Sequence, residues 1–212
     1  MKQTQPTSTN RSNLTKLVVT ALLAAVAVAL QYLEFPVPLV PSFLQMDLSD
    51  IPELIGAFIV GPVGGVVVAL LKNLIHLPVT KTAGVGELAN FLLGAAFAFT
   101  AGIIYKRHKT KKTALIACCC GTVAMAAVSF PINYFIVYPF YAKLFGGMEP
   151  ILGMYQAILP YADTLPKALL IFNVPFTLVK GILCVIVTML VYKPLSNLIN
   201  ELNKKITGGK KN

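Results

Sequence analysis

Tryptophan is absent from this chain, histidine occurs only twice, and eight acidic residues face eighteen basic ones. Each shortage narrows the chemistry. Without tryptophan, phenylalanine and tyrosine are the only carbocyclic aromatics that can stack on a planar ligand. The two histidines, His76 and His108, are far apart and neither sits in an HExxH pattern, so no metal site is expected. Three of the four cysteines are adjacent (Cys118, Cys119, Cys120) inside an apolar run. That spacing suits packed or lipid-facing thiols rather than ligands. There is no GxxxxGK[ST] phosphate loop, and Gly84-Val85-Gly86 is too little for a dinucleotide fingerprint. Ser129 is the one serine well inside an apolar run, and no histidine is placed to activate it. No catalytic residue and no cofactor is expected. A binding or transport role fits better than an enzyme.

What is abundant is apolar surface. The 212 residues are 56% hydrophobic and 12% charged, more apolar than a soluble core requires. Repeated runs near twenty residues predict an all-α membrane protein with six transmembrane helices. An open sheet would leave its backbone unsatisfied in lipid, and the alternation of a barrel is missing. We expect a flexible cytoplasmic tail over residues 1–13, a six-helix domain over 14–200 and a basic cytoplasmic tail over 201–212. The expected spans are 14–33, 51–60, 62–77, 86–105, 113–141 (broken at Pro131) and 169–192. The first is too long for the apolar part of a signal peptide and lacks a clear cleavage site. Within it Ala21, Ala25 and Ala29 recur every four residues. They form either a close docking face or an alanine-rich helix surface with no partner.

Residues 34–49 carry Pro36, Pro38 and Pro41 and form a loop. The loop is too apolar for a solvated linker, and either a lid over a cavity or a strap over helix ends fits it. The following stretch, 46–94, is apolar yet holds Asp47, Asp50, Glu53, Lys72, His76 and Glu87. Charges inside an apolar run are expensive and read as functional unless they reach the interface. Asp50 has the look of an N-cap, with Glu53 at the capping-box position. Glu87 falls in the first turn of the fourth span, with Asn90 on the same face. Lys180 lies twelve residues before Tyr192, about 18 Å from the inner end. At that depth it cannot snorkel to headgroups, so it must meet an acceptor in the interior. Asn173 suits a helix–helix hydrogen bond.

The blocks DIPELIGAF, GPVGG, LLKNLIHL and GVGELANF, taken together, resemble the substrate-binding S components of energy-coupling factor (ECF) vitamin transporters, most closely the riboflavin-specific ones. The resemblance runs from Leu14 to Ile199. It implies an S-component-like bundle with an outward-facing cavity, in a bacterial cell membrane. It implies capture of riboflavin as transported ligand, not cofactor, and delivery through an ATP-driven ECF transporter. The implied partners are a transmembrane coupling protein and two cytoplasmic ATPases, with no nucleic acid. An S component for another vitamin, or a stand-alone facilitator, is the alternative. By the same resemblance Asn133 in PINYF and Lys180 in FTLVKG match ring-binding positions. Phe43, Leu44, Gln45, Glu87 and Asn90 follow as substrate-binding candidates, and Lys72 is kept for a site lower along the third helix. The alanine stripe becomes the candidate surface for the coupling protein.

Charge fixes the expected orientation. Splitting the chain at Gly61-Pro62 puts the N-terminus, the loop 106–112 and the C-terminus on one side, with thirteen of the eighteen basic residues and one acid, Glu201. Basic residues mark the cytoplasmic side, so both termini are expected inside. In a background without native cysteines, a cysteine at Val40 should react with an impermeant thiol reagent added outside. One at Lys109 should react only after permeabilisation. The opposite labelling pattern would overturn this orientation.

Overall fold

A computed structural model describes residues 8–207. Residues 1–7 and 208–212, with Lys2, Lys210 and Lys211 of the expected tails, lie outside the described residues. Among the described residues the regular structure is helical apart from one short hairpin of two-residue strands. Helix α1 spans Ser8–Gln31, α2 Asp50–Ile59, α3 Pro62–His76, α4 Val85–Arg107 and α5 Lys111–Ile132. A π-helical turn over Asn133–Val137 leads into α6, Tyr138–Leu144. Short helices α7, Glu149–Gln156, and α8, Leu165–Ala168, precede a second π turn, Leu169–Asn173, and the long α9, Val174–Thr207. Strands β1, Phe35–Pro36, and β2, Gln45–Met46, pair antiparallel inside the proline-rich loop.

Among the described residues, five segments are long and apolar enough to cross a membrane: Ser12–Gln31, Pro62–Val79, Val85–Arg107, Lys111–Leu144 and Leu165–Asn203. Large apolar side chains point outward from them, among them Leu17, Val123 and Leu190. That exterior suits lipid and not water. The expected second span is the exception. Helix α2 has ten residues, about 15 Å at 1.5 Å per residue, half the ~30 Å hydrocarbon. The break falls where expected. Gly61 has φ 111°, which disfavours any residue with a Cβ, and Pro62 opens α3 at a position needing no N–H donor.

Two helix ends run further than the sequence reading gives. Helix α1 begins at Ser8, six residues before Leu14, and the Ser12 hydroxyl donates to the Ile206 carbonyl, 2.6 Å away. Helix α9 continues through Pro194 to Thr207. The reason is an apolar stripe, Leu195, Ile199, Leu202 and Ile206, at helical spacing, which packs on the core of Phe58, Tyr105 and Tyr192. Tertiary packing outweighs the polar character of the segment.

Small residues let α2, α3 and α4 cross closely. A Cβ on Gly65 would stand 2.7 Å from the Glu53 carbonyl oxygen and 2.9 Å from the Ala98 Cβ. One on Gly102 would stand 2.7 Å from the Pro62 Cα. The contact is backbone in both helices, so neither position tolerates a side chain without moving an element.

The interior of this crossing is ionic. Asp50 and Glu53 are not a cap: the N-cap of α2 is Ser49, and it makes no side-chain capping bond. Both acids turn inward instead, fully buried, onto Lys72 of α3. The Lys72 ammonium donates to Asp50 Oδ1 at 2.8 Å and to Ser49 Oγ at 2.5 Å, and pairs with Glu53 Oε1 at 2.6 Å. Lys180 of α9 pairs with Asp47 Oδ2 at 3.0 Å and Asp50 Oδ2 at 3.3 Å. Removing one member of a buried ion pair typically costs about 3–5 kcal/mol, because the partner stays buried and uncompensated. Lys72→Met should therefore lower thermal stability in detergent by about that amount, and adding Glu53→Gln should recover part of it. A Lys72→Met protein as stable as wild type would mean these carboxylates are not held by charge.

Candidate functional site

At the end of the bundle where α1 finishes and α4 begins lies a cavity of about 420 Å³. Its wall is built by the proline-rich loop, the first turns of α4, the α5–α6 junction and the outer part of α9. The volume falls within the range of small-molecule sites, which combine apolar walls with a few fixed polar groups. Phe43, Leu44, Leu93, Met125 and Phe176 supply the apolar wall. Asn90, Asn133, Glu87, Asp47 and Lys180 supply polar groups.

Each polar group is held by a local cause. The π turn at Asn133 widens the helix just after Pro131, and such turns recur at functional sites. There the Asn133 amide donates to the Ser129 carbonyl at 2.8 Å. Lys180 comes from the second turn of α9 and donates to Asn90 Oδ1 at 3.1 Å as well as to Asp47. Asp47 accepts the Ser49 hydroxyl at 2.5 Å and the Ser49 N–H at 2.8 Å. Burial alone would raise the Asp47 pKa. The Lys180 and Lys72 charges outweigh it and hold the carboxyl well below the usual carboxylate range. Glu87 Oε1 stands 3.0 Å from His76 Nδ1, and its Oε2 accepts the Thr80 hydroxyl at 2.7 Å.

The loop takes part in the wall rather than strapping the helix ends. Phe43 meets the rings of Tyr138, Tyr141 and Tyr155 edge-on, with centroids 6.3, 5.7 and 5.9 Å away. Behind them Tyr155 donates to Asn173 Oδ1 at 2.6 Å, and the Asn173 amide donates to Tyr138 Oη at 2.9 Å. The two phenol oxygens also share a hydrogen bond. Asn173 thus makes the interhelical bonds expected of it, and it also lines the cavity.

Of the residues expected at a ligand, Phe43, Leu44, Gln45, Glu87, Asn90, Asn133 and Lys180 all line this one cavity. Lys72 does not. Its ammonium is engaged one layer deeper by Asp50, Glu53 and Ser49. The sequence reading missed Asp47, Tyr138, Tyr141 and Thr177, which also line the wall. Asp47 was legible as a charge in an apolar run. Tyr138 was not, because the π turn shifts the helical register past Asn133. Gln45 Oε1, and Oε1 of Gln31, a further lining residue, are buried with no hydrogen-bond partner among the described residues. Unpaired buried acceptors are costly, typically about 1–3 kcal/mol each. This wall is therefore ready for a ligand that brings hydroxyl or N–H donors.

Comparison with known proteins agrees with this geometry. The family model for "ECF transporter, substrate-specific component" matches residues 15–192. The riboflavin transporter RibU of Staphylococcus aureus is 33% identical over 187 residues, 88% of this chain and 93% of its own. The riboflavin transporter FmnP of Bacillus subtilis is 30% identical, over 88% of this chain and 94% of its own. A solved structure of the S component of a bacterial ECF transporter superposes with a TM-score of 0.67 at 34% identity, covering 87% of this chain and 96% of that one. The chain is a multi-pass membrane protein and belongs to the substrate-specific components of ECF transporters.

Proposed function

We propose that the chain captures riboflavin from outside the cell and hands it to an ATP-driven ECF module. The observation that carries this is the cavity itself: apolar walls, Lys180 and Asn133 on opposing helices, and unpaired acceptors on Gln31 and Gln45. Riboflavin has a flat ring edged with carbonyls and nitrogens, and a hydroxylated side chain. Phe43 and Leu44 suit the faces of the ring. Lys180 and Asn133 suit its polar edge, and Gln45, Glu87 and Asn90 can accept from hydroxyls. The relatives named as riboflavin transporters favour this vitamin over another. In this reading the short α2 counts as the sixth membrane helix, the cavity faces outward and both termini are cytoplasmic. A transmembrane coupling protein and two cytoplasmic ATPases complete the transporter.

Purified protein should be yellow or should quench added flavin on titration. Losing one hydrogen bond typically costs about 0.5–1.5 kcal/mol, so Asn133→Ala should weaken binding roughly threefold to tenfold. Lys180→Ala should weaken it at least as much, but it also unpairs Asp47, so Asn133→Ala is the cleaner variant. Unchanged titration curves for both would mean the ligand sits elsewhere. Binding of a different vitamin in place of flavin would retain the S-component role and overturn the substrate.

The alanine stripe has a separate role in this proposal. Ala21, Ala25 and Ala29 are exposed, while Ala24 and Ala27 face Val68 inside the bundle. The stripe is thus free of intramolecular packing, and methyl-only side chains allow another helix to approach closely. It suits the coupling protein. Ala25→Trp should leave flavin titration unchanged and abolish co-purification with the coupling protein and uptake. Normal co-purification and uptake by that variant would move the docking surface elsewhere.

A further inference from the structure

A second cavity, of about 360 Å³, opens at the opposite end of the bundle. It sits where α2 breaks into α3, against the start of α1 and the ends of α4 and α9. Three lysines line it, Lys16, Lys106 and Lys109, and no carboxylate among the described residues does. Of the eight acids in the chain, only Glu201 belongs to this end, and it is exposed and outside the lining. None of the ion pairs among the described residues involves these three lysines. Lys109 is fixed at the wall: its ammonium donates to Asn203 Oδ1 at 2.9 Å, and the Asn203 amide donates to the Phe58 carbonyl at 3.3 Å. Burial and the nearby Lys106 charge both push the Lys109 pKa down, as expected of cations crowded together without a counter-charge.

The backbone adds to the same field. Helix α3 points its N-terminus at this cavity, and the N–H of Val63, a lining residue of its first turn, has no acceptor within the helix. Gly61 leaves open space there, with nothing within 4 Å of where a Cβ would stand. The lining is largely apolar, and Val63 in it is 67% exposed. Three cations, a helix N-terminus and an apolar wall on a membrane-spanning bundle suit a phosphate that carries hydrocarbon chains. We infer that this cavity holds the phosphate headgroup of an anionic phospholipid, with the acyl chains leaving past Val63. Basic pockets between helices at one membrane face are suited to such headgroups.

The test is native mass spectrometry on the full chain in a neutral detergent, titrated with phosphatidylglycerol or with phosphatidylcholine of the same acyl chains. Phosphatidylglycerol should form adducts that survive activation, and phosphatidylcholine should not. Lys106→Gln and Lys109→Gln should each weaken phosphatidylglycerol binding about fivefold, the worth of one lysine near an anionic surface. Lys111→Gln with Lys112→Gln removes two charges from the same face but outside the cavity, and should leave the affinity unchanged. If Lys109→Gln fails to fold by circular dichroism, Lys106→Gln alone decides, since the bond to Asn203 comes from Lys109. Equal retention of the two lipids would overturn the assignment. So would an equal loss in the Lys111 and Lys112 control, which would mean a diffuse basic surface. Displacement of the lipid by millimolar inorganic phosphate would assign the cavity to a soluble anion instead.

Discussion

The buried ion cluster of Asp47, Asp50, Glu53, Lys72 and Lys180 is the constraint on which the rest of the structure depends. Three carboxylates and two ammonium groups lie together almost without solvent. Desolvating them is expensive, and replacing such groups with apolar ones is often neutral or stabilising. The cluster therefore is better understood by what it positions than by what it contributes to stability. It joins α2, α3, α9 and the proline-rich loop at one point. From there a continuous chain of polar contacts runs from Lys72 through Ser49 and Asp47 to Lys180 and Asn90. The floor of the ligand cavity is the upper edge of that chain. Lys180 can present a charge to the cavity only because Asp47 and Asp50 hold its ammonium in place.

This arrangement also explains why α2 is short. A helix of ten residues cannot cross the hydrocarbon, and its N-terminal turn carries two acids that must be neutralised by something other than water. Lys72 meets that need from the neighbouring helix. The glycines at the crossing, Gly65 against the Glu53 carbonyl and Gly94 against the Glu53 carboxylate, bring the backbones near enough for the pairing. Space above α2 is then closed by the loop, whose Phe43 is held among three tyrosines.

The two ends of the bundle have opposite character. One gathers seven of the eight acids, the π turns and the larger cavity. The other gathers most of the lysines and the second cavity. Between them the exposed apolar side chains face lipid, and the alanine stripe of α1 leaves one flat strip on that surface. The larger cavity, the alanine stripe and the apolar exterior therefore fall on separate surfaces of one small protein.

The sequence by itself determined the class of the protein and the break at Gly61-Pro62, and its resemblance to a family pointed to seven residues that line the cavity. Apolar run length, proline and glycine act locally, and a charge in an apolar run is visible wherever it points. It did not determine which charges would pair. Asp50 and Glu53 have the spacing of a helix cap, and only the approach of α3 turned them onto Lys72. Lys72 and Lys180 look alike in sequence, yet one is consumed within the bundle and the other reaches the cavity. The extension of α9 to Thr207 and the register of Tyr138 past the π turn also required the fold, because both depend on what packs against the helix. Local rules read one element at a time; the partners of a buried charge are chosen by where the other elements cross it.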